Sequence, residues 1–298
     1  MEKRTYGKTG MEVAALGFGG AEIGFQGVSA AEADRLLGSA LDAGLNVIDT
    51  AECYGNSEEL IGQTVGHRRD DYYLFTKCGH AAGFEDPDWE PAMLTRSIDR
   101  SLQRLRTDRV DVIHLHSCSE ELLRRGEVIE VLQQAKQAGK TRYIGYSGDG
   151  MAARYAVQSG LFDSLETSLN IADQQAAELT LPLAAAAGMG VVVKRPIANA
   201  VWQHDAKPDN GYVQPYWERL QQLKYSFLER PLAESIGTAL RFTLSIPGVH
   251  CAIVGTSNPD RWSANARLLE AGPLTAGELE QMRTRWRDVA EADWVGQT

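Results

Sequence analysis

No stretch of the chain approaches 18 apolar residues, so no membrane-spanning helix is expected. The start MEKRTYGKTG has no apolar core of the kind a secretory signal carries. Cysteine is scarce: Cys53, Cys78, Cys118 and Cys251 form no C-x-x-C pair and no zinc-like spacing, which excludes a disulfide framework and a structural zinc site. The first strand-like run is not followed by G-x-G-x-x-G, so the fingerprint of an open dinucleotide-binding sheet is missing. Excess positive charge is missing too. A net charge of -10 repels nucleic-acid phosphates and anionic lipid, so neither a nucleic-acid nor a membrane partner is expected. These features together predict a cytoplasmic protein with reduced thiols.

What is present is ordinary for a well-packed protein: 43% hydrophobic and 23% charged residues in 298. Eight strand-like runs stand out, at 13–19, 45–50, 72–77, 111–116, 142–147, 164–170, 190–195 and 251–256. Most are nearly continuous apolar runs, as parallel strands covered on both faces require. Helical patterns alternate with them. Ser29 and Glu32 form a capping-box signature for a helix running to Gly44, and a helix opening near Pro91 carries Leu94, Ile98, Leu102 and Leu105 on one face. Helices near 126–138, 151–159 and 180–187 end at Gly139, Gly160 and Gly188. Eight alternations fit a closed α/β TIM barrel, (β/α)8, better than an open doubly wound sheet. A Gly-Lys-Thr-Gly turn in RTYGKTGMEV predicts an N-terminal β-hairpin plugging the barrel floor, and residues 199–250 form the longest insertion. No internal boundary or repeat appears, so 1–298 reads as one domain.

Barrel enzymes carry their chemistry at the C-terminal ends of the strands, where long loops meet. Asp49, Lys77 and His116 end three consecutive runs, and Tyr54 follows the first of them closely. Period-two geometry puts Leu45, Val47 and Asp49 on one face, and likewise Tyr73, Phe75 and Lys77, and Val112, His114 and His116. A phenol near an ammonium is made more acidic, and a buried ammonium needs a carboxylate to stay charged. An imidazole beside them can orient a carbonyl oxygen. Taken singly, Asp49 could cap a helix, Tyr54 could be a rim aromatic, Lys77 could be solvated and His116 could be a satisfied core histidine. Their joint placement favours proton transfer to a carbonyl. His114 should lie one layer deeper, as a hydrogen-bonded interior residue. Three of the cysteines lie within two residues of Tyr54, Lys77 and His116, most simply as small packing residues, with a redox-sensitive site as the alternative.

On GFGGAEIG, ALDAGLNVIDTAECYGNSEELIG, LFTKCG, the spacing in DVIHLH, IGYS and IPGVHCAIVGTSNPDRW, the chain resembles the aldo-keto reductases over nearly its full length. The DTAxxYGxSE block is the specific part. The resemblance implies Tyr54 as general acid-base, Lys77 and Asp49 as the pair that tunes it, His116 as carbonyl orienter and a reduced nicotinamide as hydride source, with NADPH preferred and NADH possible. It implies Ser147 at the carboxamide, and Ser257, Arg261 and Asn265 around the 2′-phosphate and adenine. Asn258-Pro259 reads as a helix start whose free N–H groups face that phosphate, with Arg261 one turn in. There are departures. Gly148 and Glu166 stand where the family usually has Asn and Gln, and Lys194, in VKRPI with Arg195, replaces the aromatic that stacks on the nicotinamide. Glu166 and Lys194 are therefore expected to pair with each other, and with Arg195 to face the cofactor.

Phe25, Phe84, Trp89 and Trp202 lie on loops after strands and are expected to wall a substrate pocket for small-molecule aldehydes or ketones. Trp294 is expected either to fold over the site or to stay disordered. The activity implied is NADPH-dependent carbonyl reduction. The alternatives are a sugar or alcohol dehydrogenase running the same chemistry oxidatively, and a non-catalytic NADPH-sensing subunit.

Overall fold

The structure, a computed structural model describing residues 1–297, is built on ten strands: β1 (Lys3–Thr5), β2 (Glu12–Ala14), β3 (Leu16–Gly19), β4 (Val47–Asp49), β5 (Tyr73–Cys78), β6 (Val110–His116), β7 (Thr141–Ser147), β8 (Ser164–Ser168), β9 (Gly190–Lys194) and β10 (Cys251–Gly255). The last eight close into a parallel barrel in chain order, with β10 pairing β3. The expected strand 13–19 is split. Glu12–Ala14 pairs antiparallel with Lys3–Thr5 in the floor hairpin, and only Leu16–Gly19 joins the barrel. An apolar run cannot reveal that its first half pairs with one sheet and its second half with another.

The helices follow their local chemistry. Ser29 and Glu32 close both halves of the capping box for the helix Ala30–Asp42. Pro91 opens the helix Pro91–Leu105, where its missing N–H would have had no partner. Gly139, Gly160 and Gly188 adopt the left-handed conformation as expected. The helices expected near 126–138 and 180–187 form as Glu127–Gln137 and Leu181–Ala186, and each is preceded by a short helix that was not expected: Glu120–Arg125, capped by Ser119, and Ala176–Leu179. The insertion after β9 holds the helices Gln214–Leu223 and Leu232–Ser245.

Two apolar clusters result. The larger fills the layer between helices and barrel wall. The smaller is the barrel interior, where Tyr6, Met11 and Val13 from the hairpin meet Val47, Phe75, Val112, Val192 and Cys251. Fully buried Tyr6 is the plug, its hydroxyl 2.6 Å from Ser164 Oγ, which lies 2.8 Å from His114 Nε2. Gly145 is what lets that imidazole fit: a Cβ there would stand 2.3 Å from His114 Cδ2. Among the described residues no helix is long and apolar enough to cross a membrane.

Candidate active site at the C-terminal mouth of the barrel

Above the apolar floor the inward positions turn polar, two residues further along each strand. Val47 is followed by Asp49, Phe75 by Lys77, Val112 by His114, Ser164 by Glu166 and Val192 by Lys194. The register steps upward round the barrel: Asp49 is aligned with Phe75, Lys77 with His114, Ser147 with Glu166, and Ser168 with Lys194. Lys77, 1% exposed, donates to Asp49 Oδ2 at 2.5 Å and to the Thr50 carbonyl at 3.0 Å, and its Nζ lies 3.3 Å from Glu166 Oε2. Burial works against the ammonium, but the Asp49 and Glu166 carboxylates outweigh it and hold the Lys77 pKa up, so it stays charged. Asp49, His114 and Glu166 are spaced as metal ligands could be, yet the cation between the two carboxylates is this ammonium.

Tyr54 is half-buried, with Lys77 Nζ 5.1 Å from its ring centroid and the His116 ring 5.7 Å away on its edge. Its loop is held from two sides. Gly24 packs so tightly on it that a Cβ would meet Tyr54 O at 2.0 Å. On the other side buried Glu52 is gripped by Arg100 and by Arg104, whose Nη1 also donates to the Glu52 carbonyl at 3.2 Å. Glu52 is a positioning residue the sequence reading did not single out. A carboxylate next to a key tyrosine, with arginines at 100 and 104 on one helix face, was the available signal.

Lys77 lowers the Tyr54 phenol as expected, but it does not decide the net shift. Burial is the largest influence and raises the phenol; Lys77 pulls it down, Glu166 and Asp49 push it back up, and the net direction is upward. His116 is held well below its ordinary value by burial and then by Lys77, so it is neutral and able to accept or donate one hydrogen bond. His114, lowered by burial to about 4, is neutral as well. Its placement is the interior one expected.

The Glu166–Lys194 pair does not form. Lys194 turns to Asp149 Oδ2 at 3.3 Å, and Glu166 turns to Lys77. Asp149 is well prepared for that role, accepting from Thr167 Oγ1 at 2.8 Å, Ser168 N at 2.6 Å and Ser168 Oγ at 3.0 Å. These contacts and Lys194 hold its carboxyl below the ordinary range despite burial. Arg195, in a left-handed backbone conformation, donates to Ser168 Oγ and Tyr212 Oη, while its own carbonyl accepts from Asn170 at 3.0 Å.

A cavity of about 280 Å³ opens beside Tyr54, its walls including Gly20, Glu166, Lys194, Arg195, Tyr212 and Gly255. Ser147, fully buried on the adjoining strand, has a hydroxyl with no hydrogen-bond partner among the described residues. That orphan and the cationic wall fit a polar, phosphate-bearing cofactor. At the far end Ser257 Oγ donates to Gln26 at 2.8 Å, Arg261 is exposed and Asn265 is buried. Arg261 is the first residue of the helix Arg261–Leu268, later than Asn258-Pro259 suggested, because Asn258 Oδ1 accepts from Asp260 N at 3.0 Å in a preceding turn.

Of the expected pocket aromatics, Phe25 meets the Tyr54 ring at 5.9 Å, and Trp89 meets His80 at 5.3 Å, which in turn lies 5.1 Å from His116. Phe84 and Trp202 have other partners: Arg100 lies 3.7 Å over the Phe84 ring, and Trp202 donates to Ser235 at 3.1 Å. His80, tied to Asp88 at 3.0 Å, belongs to the aromatic rim and was missed; it lies three residues past Lys77. Cys53 Sγ is 3.5 Å from His116 Nδ1, and all four cysteines are free thiols.

An eight-stranded barrel with a lysine–carboxylate pair under a tyrosine at its mouth defines a class of carbonyl-active oxidoreductases. The chain belongs to the aldo/keto reductase family, whose model matches residues 15–287. It is 28% identical to an uncharacterized oxidoreductase of Bacillus subtilis, YqkF, covering 95% of this chain and 96% of that one. It is 29% identical to L-galactose dehydrogenase of Arabidopsis thaliana, over 99% of this chain and 97% of the relative. A solved aldo-keto reductase from Bacillus halodurans, in its holo form, superposes with a TM-score of 0.84 at 29% identity, covering 99% of each chain.

Proposed function

We propose that the protein interconverts an aldehyde or ketone and its alcohol with NADP(H), Tyr54 moving the proton. The observation that carries this is the buried Lys77 ammonium, 2.5 Å from Asp49 and 5.1 Å from the Tyr54 ring centroid. The nicotinamide, when bound, supplies or accepts the hydride. In the reductive direction the substrate oxygen takes the Tyr54 hydroxyl proton, Lys77 stabilises the phenolate left behind, and solvent restores the proton. Neutral His116 donates a hydrogen bond to the same oxygen and fixes its orientation. Ser147, Lys194 and Arg195 would hold the cofactor's polar groups, with Ser257, Arg261 and Asn265 toward its adenosine end. A guanidinium suits a 2′-phosphate, which favours NADP(H) over NAD(H).

The test is NADPH oxidation against a panel of aldehydes, ketones and aldoses, with Tyr54→Phe as control. Turnover should fall by about 10²-fold or more in the variant while cofactor binding persists. Wild-type protein that binds NADPH tightly but reduces nothing on the panel would instead mark a sensing subunit. The oxidative direction is a second reading, in keeping with the names of relatives such as D-threo-aldose 1-dehydrogenase of Pseudomonas.

A further inference from the structure

Glu166 gives the site more negative charge than its pairing needs. The carboxylate is 1% exposed and lines the cavity beside Tyr54. Lys77 is already engaged by Asp49 at 2.5 Å and the Thr50 carbonyl at 3.0 Å, so Glu166 Oε2 stands 3.3 Å from Nζ with no hydrogen-bond partner of its own among the described residues. The His114 imidazole, its Nδ1 3.8 Å away, is neutral and adds no positive charge. Lys194 is drawn to Asp149. Two buried carboxylates thus share one ammonium. Burial and Glu166 push the Asp49 carboxyl well above its ordinary range, whereas Lys77, against burial, holds Glu166 below its own, so the lasting negative charge is on Glu166, where it attracts a cation placed in the low-dielectric mouth.

The two redox forms of a nicotinamide differ in that respect: the oxidised ring is a cationic pyridinium and the reduced ring is neutral. We propose that Glu166 makes this site bind the oxidised cofactor in preference to the reduced one. This rests on the NADP(H) reading above. Burial, Glu166 and Asp49 all oppose the Tyr54 phenolate, and a ring cation at the mouth would favour it.

The experiment is titration of the full-length protein with NADP+ and with NADPH by calorimetry, for wild type, Glu166→Gln and Glu166→Asp. Glu166→Gln should reduce the preference for NADP+, the ratio of the two dissociation constants, by about tenfold. Glu166→Asp, which keeps the charge, should hold the ratio within about threefold of wild type. An unchanged ratio in Glu166→Gln, or an equal loss in Glu166→Asp, overturns the proposal. Binding of neither form would remove the underlying function instead, and is distinguishable from all of these.

Discussion

Lys77 shows how little freedom a buried charge leaves its neighbours. Removing it by Lys77→Met would strand Asp49 and Glu166 at 1% exposure each, with one ammonium fewer between them. Breaking such a pair costs about 3–5 kcal/mol, reduced to the extent that the carboxyls take up protons. The variant should therefore unfold at clearly lower urea concentration, and the deficit should shrink as pH falls. A stability equal to wild type at neutral pH would mean that the pair is not desolvated as the geometry implies. Glu58, behind the same loop, allows a second test. Burial raises its carboxyl from 4.5 to about 7, while Thr76 Oγ1 donates to it at 2.7 Å. The folded-state value is the higher one. Its contribution to stability is therefore fully present below pH 4.5 and is lost as pH rises through about 7. Glu58→Gln removes that titration, so the stability of the variant relative to wild type should climb by about 2–3 kcal/mol between about pH 5 and about pH 8. A pH-independent difference in urea midpoints would argue against a buried, titrating Glu58.

At the scale of elements, much was legible because local chemistry decided it. The capping box at Ser29, the proline at the start of Pro91–Leu105 and the glycines closing three helices are each sufficient causes, and the structure has them in place. The alternation of apolar runs predicted the barrel, and period two correctly turned Asp49, Lys77 and His114 inward. What could not be read was which inward residues meet across the barrel. Glu166 and Lys194 sit on adjacent strands, yet each found a better partner, because Lys77 lies across the lumen and Asp149 lies in the loop after β7. The net direction of the Tyr54 shift was hidden for the same reason, being a sum over groups from several strands. Interior packing gives the testable case. Gly145→Ala would press a methyl against the His114 ring, which Ser164 holds at 2.8 Å and so cannot swing aside freely. Overpacking of this kind should destabilise by about 1–3 kcal/mol. A melting temperature unchanged from wild type would mean that the imidazole can relocate.

Across the whole molecule, the C-terminal segment ties the outer shell to the mouth. Trp294 neither lies over Tyr54 nor floats free: it is buried against Trp286 at 5.4 Å, under the Arg219 guanidinium at 5.5 Å. Arg219 also donates to the Val295 carbonyl at 2.9 Å, which aims the following residues at the barrel. A Cβ on Gly296 would stand 2.4 Å from Asp149 Cγ, and Ser168 Oγ lies 3.5 Å from the Gln297 carbonyl. The segment thus packs directly on the carboxylate that holds Lys194. Trp294→Ala deletes the anchor and should destabilise the fold by about 3 kcal/mol, as expected for a large buried aromatic. It should do more than that locally. With the anchor gone, amide exchange at Ser168, whose N–H donates to Asp149, should accelerate beyond what the global loss of stability accounts for. If exchange at Ser168 instead rises only in step with exchange throughout the barrel strands, the tail contributes packing alone and leaves the Asp149–Lys194 pair unaffected.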